Sequence, residues 1–219
     1  MTTMFIDHLG VALGQVGTGF HGGRDWVMYL RFIGRVAFPI FAFLLTEGAT
    51  HTRHMNKYMG RLALFAIISQ VPYALLRGTS VFSGLNIFFT LLLALGMIAL
   101  YQKIADKSSI YLVAYTLCVF GAGMLADLLR TDYGGVGVLF IVLIYIVRHK
   151  AKSRFALLLA IACGLLLIYQ TSVFYYFALL SLIPIYFYSG QLGKKSTWLF
   201  YSFYPLHMLL LVAGMMLAG

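Results

Sequence analysis

Long runs of apolar residues alternate along the chain with clusters of charged residues or with short glycine and serine turns. Most runs approach the roughly 20 residues that an α-helix needs to cross the hydrocarbon core of a bilayer. The pattern predicts an all-α, polytopic membrane helical bundle of about nine transmembrane helices, which fills residues 1–219 as a single domain. The predicted spans are Met4–Gly14, Trp26–Glu47, Tyr58–Leu76, Leu85–Tyr101, Ile110–Leu129, Tyr133–Val147, Phe155–Tyr169, Val173–Tyr188 and Trp198–Leu217.

The first predicted span is short for a membrane crossing. It ends at Gly14 after only about 14 residues, whereas a full crossing takes about 20. We expect either that the true start lies upstream of Met1 or that this segment is half a helix. His8 and Arg31 have similar depths below the outer surface in the first two spans, so we expect them to face each other across one hairpin.

The composition is typical of an integral membrane protein. Hydrophobic residues make up 62% of the chain, charged residues make up 10%, and the mean hydropathy is +0.91. No stretch of 25 residues has the composition of a soluble segment, which excludes an appended soluble catalytic domain, a receptor ectodomain and a nucleic-acid-binding module. Cys118 and Cys163 lie inside apolar runs without the spacing of a metal site, so we expect neither a disulfide nor a metal.

The basic residues between the predicted spans fall mainly in every second loop. Eleven lie in the even-numbered loops and three in the odd-numbered loops. Because cytoplasmic loops carry the excess of Lys and Arg, the pattern predicts a multi-pass plasma-membrane protein with a cytoplasmic N-terminus and an external C-terminus. The eleven residues are Arg53, Lys57, Arg61, Lys103, Lys107, Arg148, Lys150, Lys152, Arg154, Lys194 and Lys195.

Five ionisable residues lie well inside predicted spans, where water cannot solvate their charges, and Glu47 and Asp127 lie near span ends. Each charge at membrane depth costs about 2.5 to 3.5 kcal/mol on insertion scales, so a functional role is the first interpretation. A buried ion pair that only holds helices together is the alternative. The five residues are Asp7, His8, Arg31, Arg35 and His207.

Arg31 and Arg35 are four residues apart, so an uninterrupted helix would place both guanidinium groups on one face. Two like charges in that arrangement need an anion between them. The candidates are Asp7 and a phosphate, carboxylate or thioester carbonyl of a ligand. We assign Arg31 to Asp7 or to the reacting carbonyl, and Arg35 to the ligand.

His8 is the candidate general base. Its neighbour Asp7 points about 100° away on a helix, so the two cannot form the carboxylate–imidazole contact of a hydrolase triad, and another group must orient His8. His207 lies in the last span beside Pro205, and either contributes to catalysis or only donates a hydrogen bond across the bundle. His51 and His54 have no acid behind them, so no metal site is predicted.

Several short motifs, in order along nearly the whole chain, resemble the TraX family. Individually they are weak, but their combination is specific. They are Met4 to Gly10, Leu30 to Phe41, Glu47-Gly48 with Thr52, Tyr58 with Arg61-Leu62, Ser69 to Tyr73, Asn86 with Thr90-Leu91, Asp132 to Gly134, and Tyr204 to His207.

The resemblance implies an acetyltransferase, because the family is named for a conjugative-pilus protein that acetylates the N-terminus of pilin. The family is also similar in pattern to polytopic acyltransferases in which a first-helix histidine acts on the acceptor while acetyl-CoA enters from the cytoplasm. That histidine would be His8, and the Arg-x3-Pro stretch would begin at Arg35. The predicted catalytic residues are His8, Asp7 and His207, and the predicted donor-binding residues are Arg31, Arg35, Asn86, Arg53 and Arg61.

The resemblance leaves the acyl acceptor open. A peptide N-terminus, a glycan and a small molecule are all compatible with an amine or hydroxyl acceptor reached in or across the bilayer. The alternative function is a transporter or flippase, in which the arginines and Asp7 bind an anionic small molecule or lipid and His8 relays protons. The absence of an inverted repeat in the sequence disfavours that alternative.

Overall fold

The computed structural model describes residues 1–17, 23–151, 153–169, 173–191 and 197–218. Lys152, Lys194 and Lys195 of the loop-charge pattern lie outside these ranges. The described part is all-helical, with one isolated bridge between Leu85 and Thr131. Its elements are α1 (Thr2–Val16), α2 (Gly23–Gly34), α3 (Ala37–His51), α4 (Met55–Arg77), α5 (Ile87–Ile104), α6 (Ser109–Leu128), α7 (Gly134–Lys150), α8 (Arg154–Ile168), a 3-10 helix (Val173–Ser181), α9 (Leu182–Tyr186) and α10 (Thr197–Ala218).

Several of these helices can cross a bilayer, so the protein is a multi-pass membrane protein. Among the described residues, five helical stretches have the required length and apolarity: Asp25–His51, Met55–Arg77, Ile87–Ile104, Ser109–Leu128 and Trp198–Leu217. The other four predicted spans fall on the shorter elements α1, α7, α8 and the 3-10 helix with α9. A 15-residue helix is only about 22 Å long, and nine crossings are therefore not confirmed.

The predicted span Trp26–Glu47 is not one continuous helix. The structure ends α2 at Gly34, passes through a turn at Arg35 and Val36, and begins α3 at Ala37. Pro39 explains the break, because proline has no N–H to donate to the carbonyl of Arg35 and its ring crowds that carbonyl. The backbone N–H of Arg35 instead donates to Phe32 O, three residues back, at 3.1 Å.

The described helices form two compact units. Unit 1 comprises Met1–Ile40, Ile67–Ser83 and Leu165–Gly219. In it, α1 and α2 form an antiparallel hairpin in which glycines allow close approach: a Cβ on Gly10 would lie 3.1 Å from the Cβ of Leu30. α10 packs on α1, and this arrangement brings the chemistry-bearing residues of three helices together.

Unit 2 comprises Phe41–Ala66 and Gly84–Gly164. Helices α5, α6 and α7 pack around a core that includes Leu95, Ile98 and Ile141, all fully buried. Side chains cap two of these helices: Asn86 accepts the N–H of Phe88 at the start of α5, and Asp127 accepts an N–H of the first turn of α7. The prediction of a single domain over residues 1–219 stays a prediction.

Candidate functional site

An ion pair joins the two helices of the N-terminal hairpin in unit 1. Nη1 of Arg31 donates to Oδ2 of Asp7 at 3.2 Å, and the side chains are 29% and 18% exposed. The sequence had assigned Arg31 to Asp7 or to a reacting carbonyl, and the structure forms the first of these contacts. The second carboxylate oxygen, Oδ1, is buried and has no hydrogen-bond partner among the described residues.

Gly34 allows this ion pair to form. A Cβ built on Gly34 would overlap the side chain of Asp7, so α2 presents bare backbone where the carboxylate packs. Sequence reasoning missed this residue, although a glycine between two membrane-embedded arginines is a signal that a neighbouring group needs the space.

Two histidines from opposite ends of the sequence form a hydrogen bond. Nδ1 of His8 on α1 lies 2.6 Å from Nε2 of His207 on α10, and the ring planes are 16° from parallel. His207 is 5% exposed. The group that the sequence required to orient His8 is therefore His207, whose own Nδ1 lies 2.6 Å from the carbonyl oxygen of Phe203.

The hydrogen-bond partners of the two histidines determine which ring nitrogens carry a hydrogen. A carbonyl oxygen can only accept, so Nδ1 of His207 carries a hydrogen, and Nε2 of a neutral His207 must then accept. Nδ1 of His8 is consequently the donor between the rings. A neutral His8 with its hydrogen on Nδ1 has an unprotonated Nε2, and the lone pair of this nitrogen can take a proton from a reacting group.

Aromatic rings surround the histidine pair and limit its access to water. The ring of Tyr204 approaches His8 edge-on at 5.6 Å, and the ring of Phe203 lies 4.8 Å from that of His207. Phe5 adds a third contact, 6.2 Å from His207. Such surroundings lower the local dielectric and strengthen the hydrogen bonds within the pair.

Arg35 lies outside α2, in the turn that precedes α3. Its position in the turn between α2 and α3 corrects the expectation that Arg31 and Arg35 stand one uninterrupted helical turn apart on a shared face. The Cζ of Arg35 lies 5.9 Å from the ring centroid of Tyr169, a cation–π distance. Of the anions considered for the two arginines, Asp7 is the one that hydrogen-bonds to Arg31.

The remaining predicted donor-binding residues belong to unit 2, whereas His8, Asp7 and His207 belong to unit 1. Arg53 is exposed in the connection between α3 and α4, and Arg61 lies on α4 with its Cζ 6.0 Å from the ring of Tyr58. Asn86 is fully buried, donates to the carbonyl of Ala66 at 2.8 Å and caps α5. Those contacts give Asn86 a structural role, and its donor-binding role stays a prediction.

A second ion pair, which sequence reasoning missed, lies in unit 2. Nε of Arg148 donates to Oε1 of Glu47 at 2.9 Å. The sequence placed Glu47 near the end of a span and Arg148 in a cytoplasmic loop, but a separation of 101 residues along the chain hides their contact.

Comparisons with known proteins agree with the motif pattern. The family model described as TraX protein matches residues 1–214. A probable fimbrial assembly protein FimC, serogroup H1, of Dichelobacter nodosus is 32% identical over 210 residues, which cover 85% of this chain and 83% of that protein. No solved structure matches this chain.

Proposed function

This chain belongs to the TraX family, and we propose that it is a membrane-embedded acetyltransferase. The proposed reaction moves an acetyl group from cytoplasmic acetyl-CoA to an amine or hydroxyl at the membrane or its outer face. The relative from Dichelobacter nodosus carries the name of a probable fimbrial assembly protein, so a fimbrial subunit is the first acceptor to test. A glycan and a small molecule remain the other acceptor classes.

The observation that carries the proposal is the hydrogen-bonded chain from Phe203 O through His207 to His8. These hydrogen bonds leave Nε2 of His8 unprotonated and hold its lone pair in a fixed direction. General bases of this kind contribute about 10²- to 10⁴-fold in rate. A structural ion pair has no need of such an arrangement, whereas transfer from a thioester to a neutral amine or hydroxyl does.

The roles of the residues follow from this geometry. Nε2 of His8 takes the proton of the attacking amine or hydroxyl as the new C–N or C–O bond forms. His207 accepts the Nδ1–H of the resulting imidazolium and spreads its charge toward the carbonyl of Phe203. When the C–S bond of the thioester breaks, the same Nε2–H returns the proton to the leaving thiolate, so His8 ends the cycle neutral.

Arginine donors suit the oxygens of an acyl-CoA substrate. Arg31 uses one nitrogen on Asp7 and is 29% exposed, so its other N–H groups suit the developing oxyanion of the thioester carbonyl. Arg35 suits an anionic group of the donor. Arg53 and Arg61, which the loop charges predict on the cytoplasmic side, suit the phosphates of coenzyme A.

A double-label experiment separates acetyl transfer from transport. Membranes that contain the protein are given acetyl-CoA labelled with one isotope in the acetyl group and another in the adenine. An acetyltransferase leaves the acetyl label on membrane or fimbrial material, while the adenine label stays in solution as coenzyme A. Movement of both labels together into sealed vesicles, or no movement of either label, contradicts the proposal.

A further inference from the structure

Glu47 in unit 2 is a buried acid whose hydrogen bonding is incomplete. The residue is 3% exposed, and its Oε1 accepts from Nε of Arg148. Its Oε2 is buried and has no hydrogen-bond partner among the residues that the structure describes. A buried carboxylate oxygen without a donor carries a full desolvation cost, so this oxygen is suited to a donor that comes from outside the chain.

Arg148 has bonding capacity to spare. A guanidinium group often binds a carboxylate through two parallel hydrogen bonds, but Arg148 donates to Glu47 through Nε alone. Its side chain is 40% exposed, and within the described ranges its two terminal nitrogens have no acceptor. Those terminal N–H groups can therefore bind an anion while Nε continues to hold Glu47.

A second arginine, Arg61, is connected to the residue after Glu47 through Tyr58. A Cβ built on Gly48, the residue after Glu47, would lie 2.9 Å from the hydroxyl of Tyr58. The ring of Tyr58 is 6.0 Å from Cζ of Arg61. Nε of Arg61 is itself buried and has no acceptor in the described part of the chain. An anionic oxygen is the group that such an N–H binds best.

Side chains from α5 and from α3 itself hydrogen-bond to the backbone around Glu47. Nε2 of Gln102 on α5 donates both to the carbonyl of Ala49 and to the hydroxyl of Tyr145 on α7, each at 3.0 Å. Nδ1 of His51 donates to the carbonyl of Glu47 at 2.8 Å. The carboxylate is therefore held on a rigid frame, as a binding site requires.

We infer that Glu47, Arg61 and Arg148 form a binding site for a phosphate ester that carries a neighbouring hydrogen-bond donor. The phosphate oxygens accept from the two arginines, and a hydroxyl or ammonium group of the same ligand donates to Oε2 of Glu47. Two sources have this chemistry: the nucleotide end of the acyl donor, which rests on the proposed function, and an amine-bearing phospholipid headgroup, which does not.

The test measures binding rather than acetyl transfer, so its failure and the failure of the proposed function are distinguishable. Protein in phosphatidylcholine nanodiscs is titrated calorimetrically with adenosine 3′,5′-bisphosphate. A parallel arm uses native mass spectrometry to count phosphatidylethanolamine molecules retained from mixed nanodiscs. Both arms compare the wild-type protein with Arg148→Gln and with Lys150→Gln, which removes an exposed charge two residues further along α7.

Arg148→Gln is expected to weaken binding of one of these ligands by about tenfold or more, the factor for one charge-assisted hydrogen bond, while Lys150→Gln leaves it unchanged. Glu47→Gln should weaken binding of the same ligand without abolishing folding, because the amide fills the same space as the carboxylate. Loss confined to the bisphosphate identifies the nucleotide, and loss confined to the phospholipid identifies the headgroup. Equal weakening in Arg148→Gln and Lys150→Gln, or no binding of either ligand to the wild type, overturns the inference.

Discussion

The carbonyl of Phe203 determines, two hydrogen bonds away, which nitrogen of His8 can act as a base. It accepts from Nδ1 of His207, whose Nε2 then accepts from Nδ1 of His8. The sequence identified both histidines but could not pair them, because 199 residues separate them along the chain. It also placed His8 beside Asp7, which binds Arg31 instead.

His207 should be replaceable by a side chain that preserves acceptance from His8. We predict that His207→Gln retains part of the acetyl-transfer rate, since the amide oxygen can accept the Nδ1–H of His8. His207→Phe keeps the ring contacts but removes the acceptor, so the rate should fall up to about 10²-fold. The measurement is kcat with labelled acetyl-CoA.

The control for this prediction is a double variant. If the two histidines act as a unit, His8→Ala with His207→Phe should be no slower than His8→Ala alone. Multiplying losses would mean that His207 serves the reaction independently of His8.

The ion pair between Asp7 and Arg31 should contribute to the folding of the protein. Arg31→Ala leaves the Asp7 carboxylate buried without its partner, at a cost of about 3 to 5 kcal/mol, so the yield of folded protein should drop. Asp7→Asn combined with Arg31→Ala should recover part of that yield, because the buried charge is gone. Size-exclusion chromatography of a fluorescent fusion measures the yield. A double variant as poor as the sum of its singles would show that the two side chains do not interact.

Among the helices, the pattern of apolar runs in the sequence predicted the longer elements closely. The predicted spans Tyr58–Leu76 and Leu85–Tyr101 correspond to α4 (Met55–Arg77) and α5 (Ile87–Ile104). The break between α2 and α3 was not predicted, because hydropathy continues unchanged across it. Its cause is the hydrogen-bonding defect of Pro39, which an apolarity pattern does not register.

The close packing of α1 against α2 depends more on Gly34 than on Gly14. We predict that Gly34→Ala destabilises the protein by about 1 to 3 kcal/mol, because the new methyl group overlaps the side chain of Asp7. Gly14→Ala is the matched variant in the same hairpin: its methyl group would make an ordinary contact, 3.6 Å from Val27. Thermal unfolding in detergent compares them. Equal midpoints would contradict the described hairpin packing.

For the whole molecule, membrane orientation is the feature that the mechanism needs and that loop charges alone predict. The excess of Lys and Arg in even loops predicts that residue 150 is cytoplasmic and that residue 80 is external. Both positions are exposed. Single cysteines at Ser80 and Lys150, in a chain without Cys118 and Cys163, should label with an impermeant thiol reagent on intact cells only at position 80. Labelling only at position 150 would invert the orientation and exchange the predicted sides of donor and acceptor.

The membrane class followed from composition, but the number of crossings did not. Apolar runs in the first, sixth, seventh and eighth predicted spans look like spans by hydropathy, whereas their helices are short. The pairing of Glu47 with Arg148 likewise needs tertiary structure, since nothing local in the sequence links a residue of α3 to one of α7.

Removal of the His8 imidazole tests whether this side chain is the general base of acetyl transfer. Membranes containing the wild type, His8→Ala or His54→Ala are given acetyl-CoA labelled in the acetyl group, and label bound to membrane and fimbrial material is counted. His54 is an exposed histidine of unit 2 and serves as the matched control. We predict a fall of about 10²- to 10⁴-fold for His8→Ala at unchanged expression, with His54→Ala equal to the wild type. Wild-type transfer by His8→Ala would contradict this prediction.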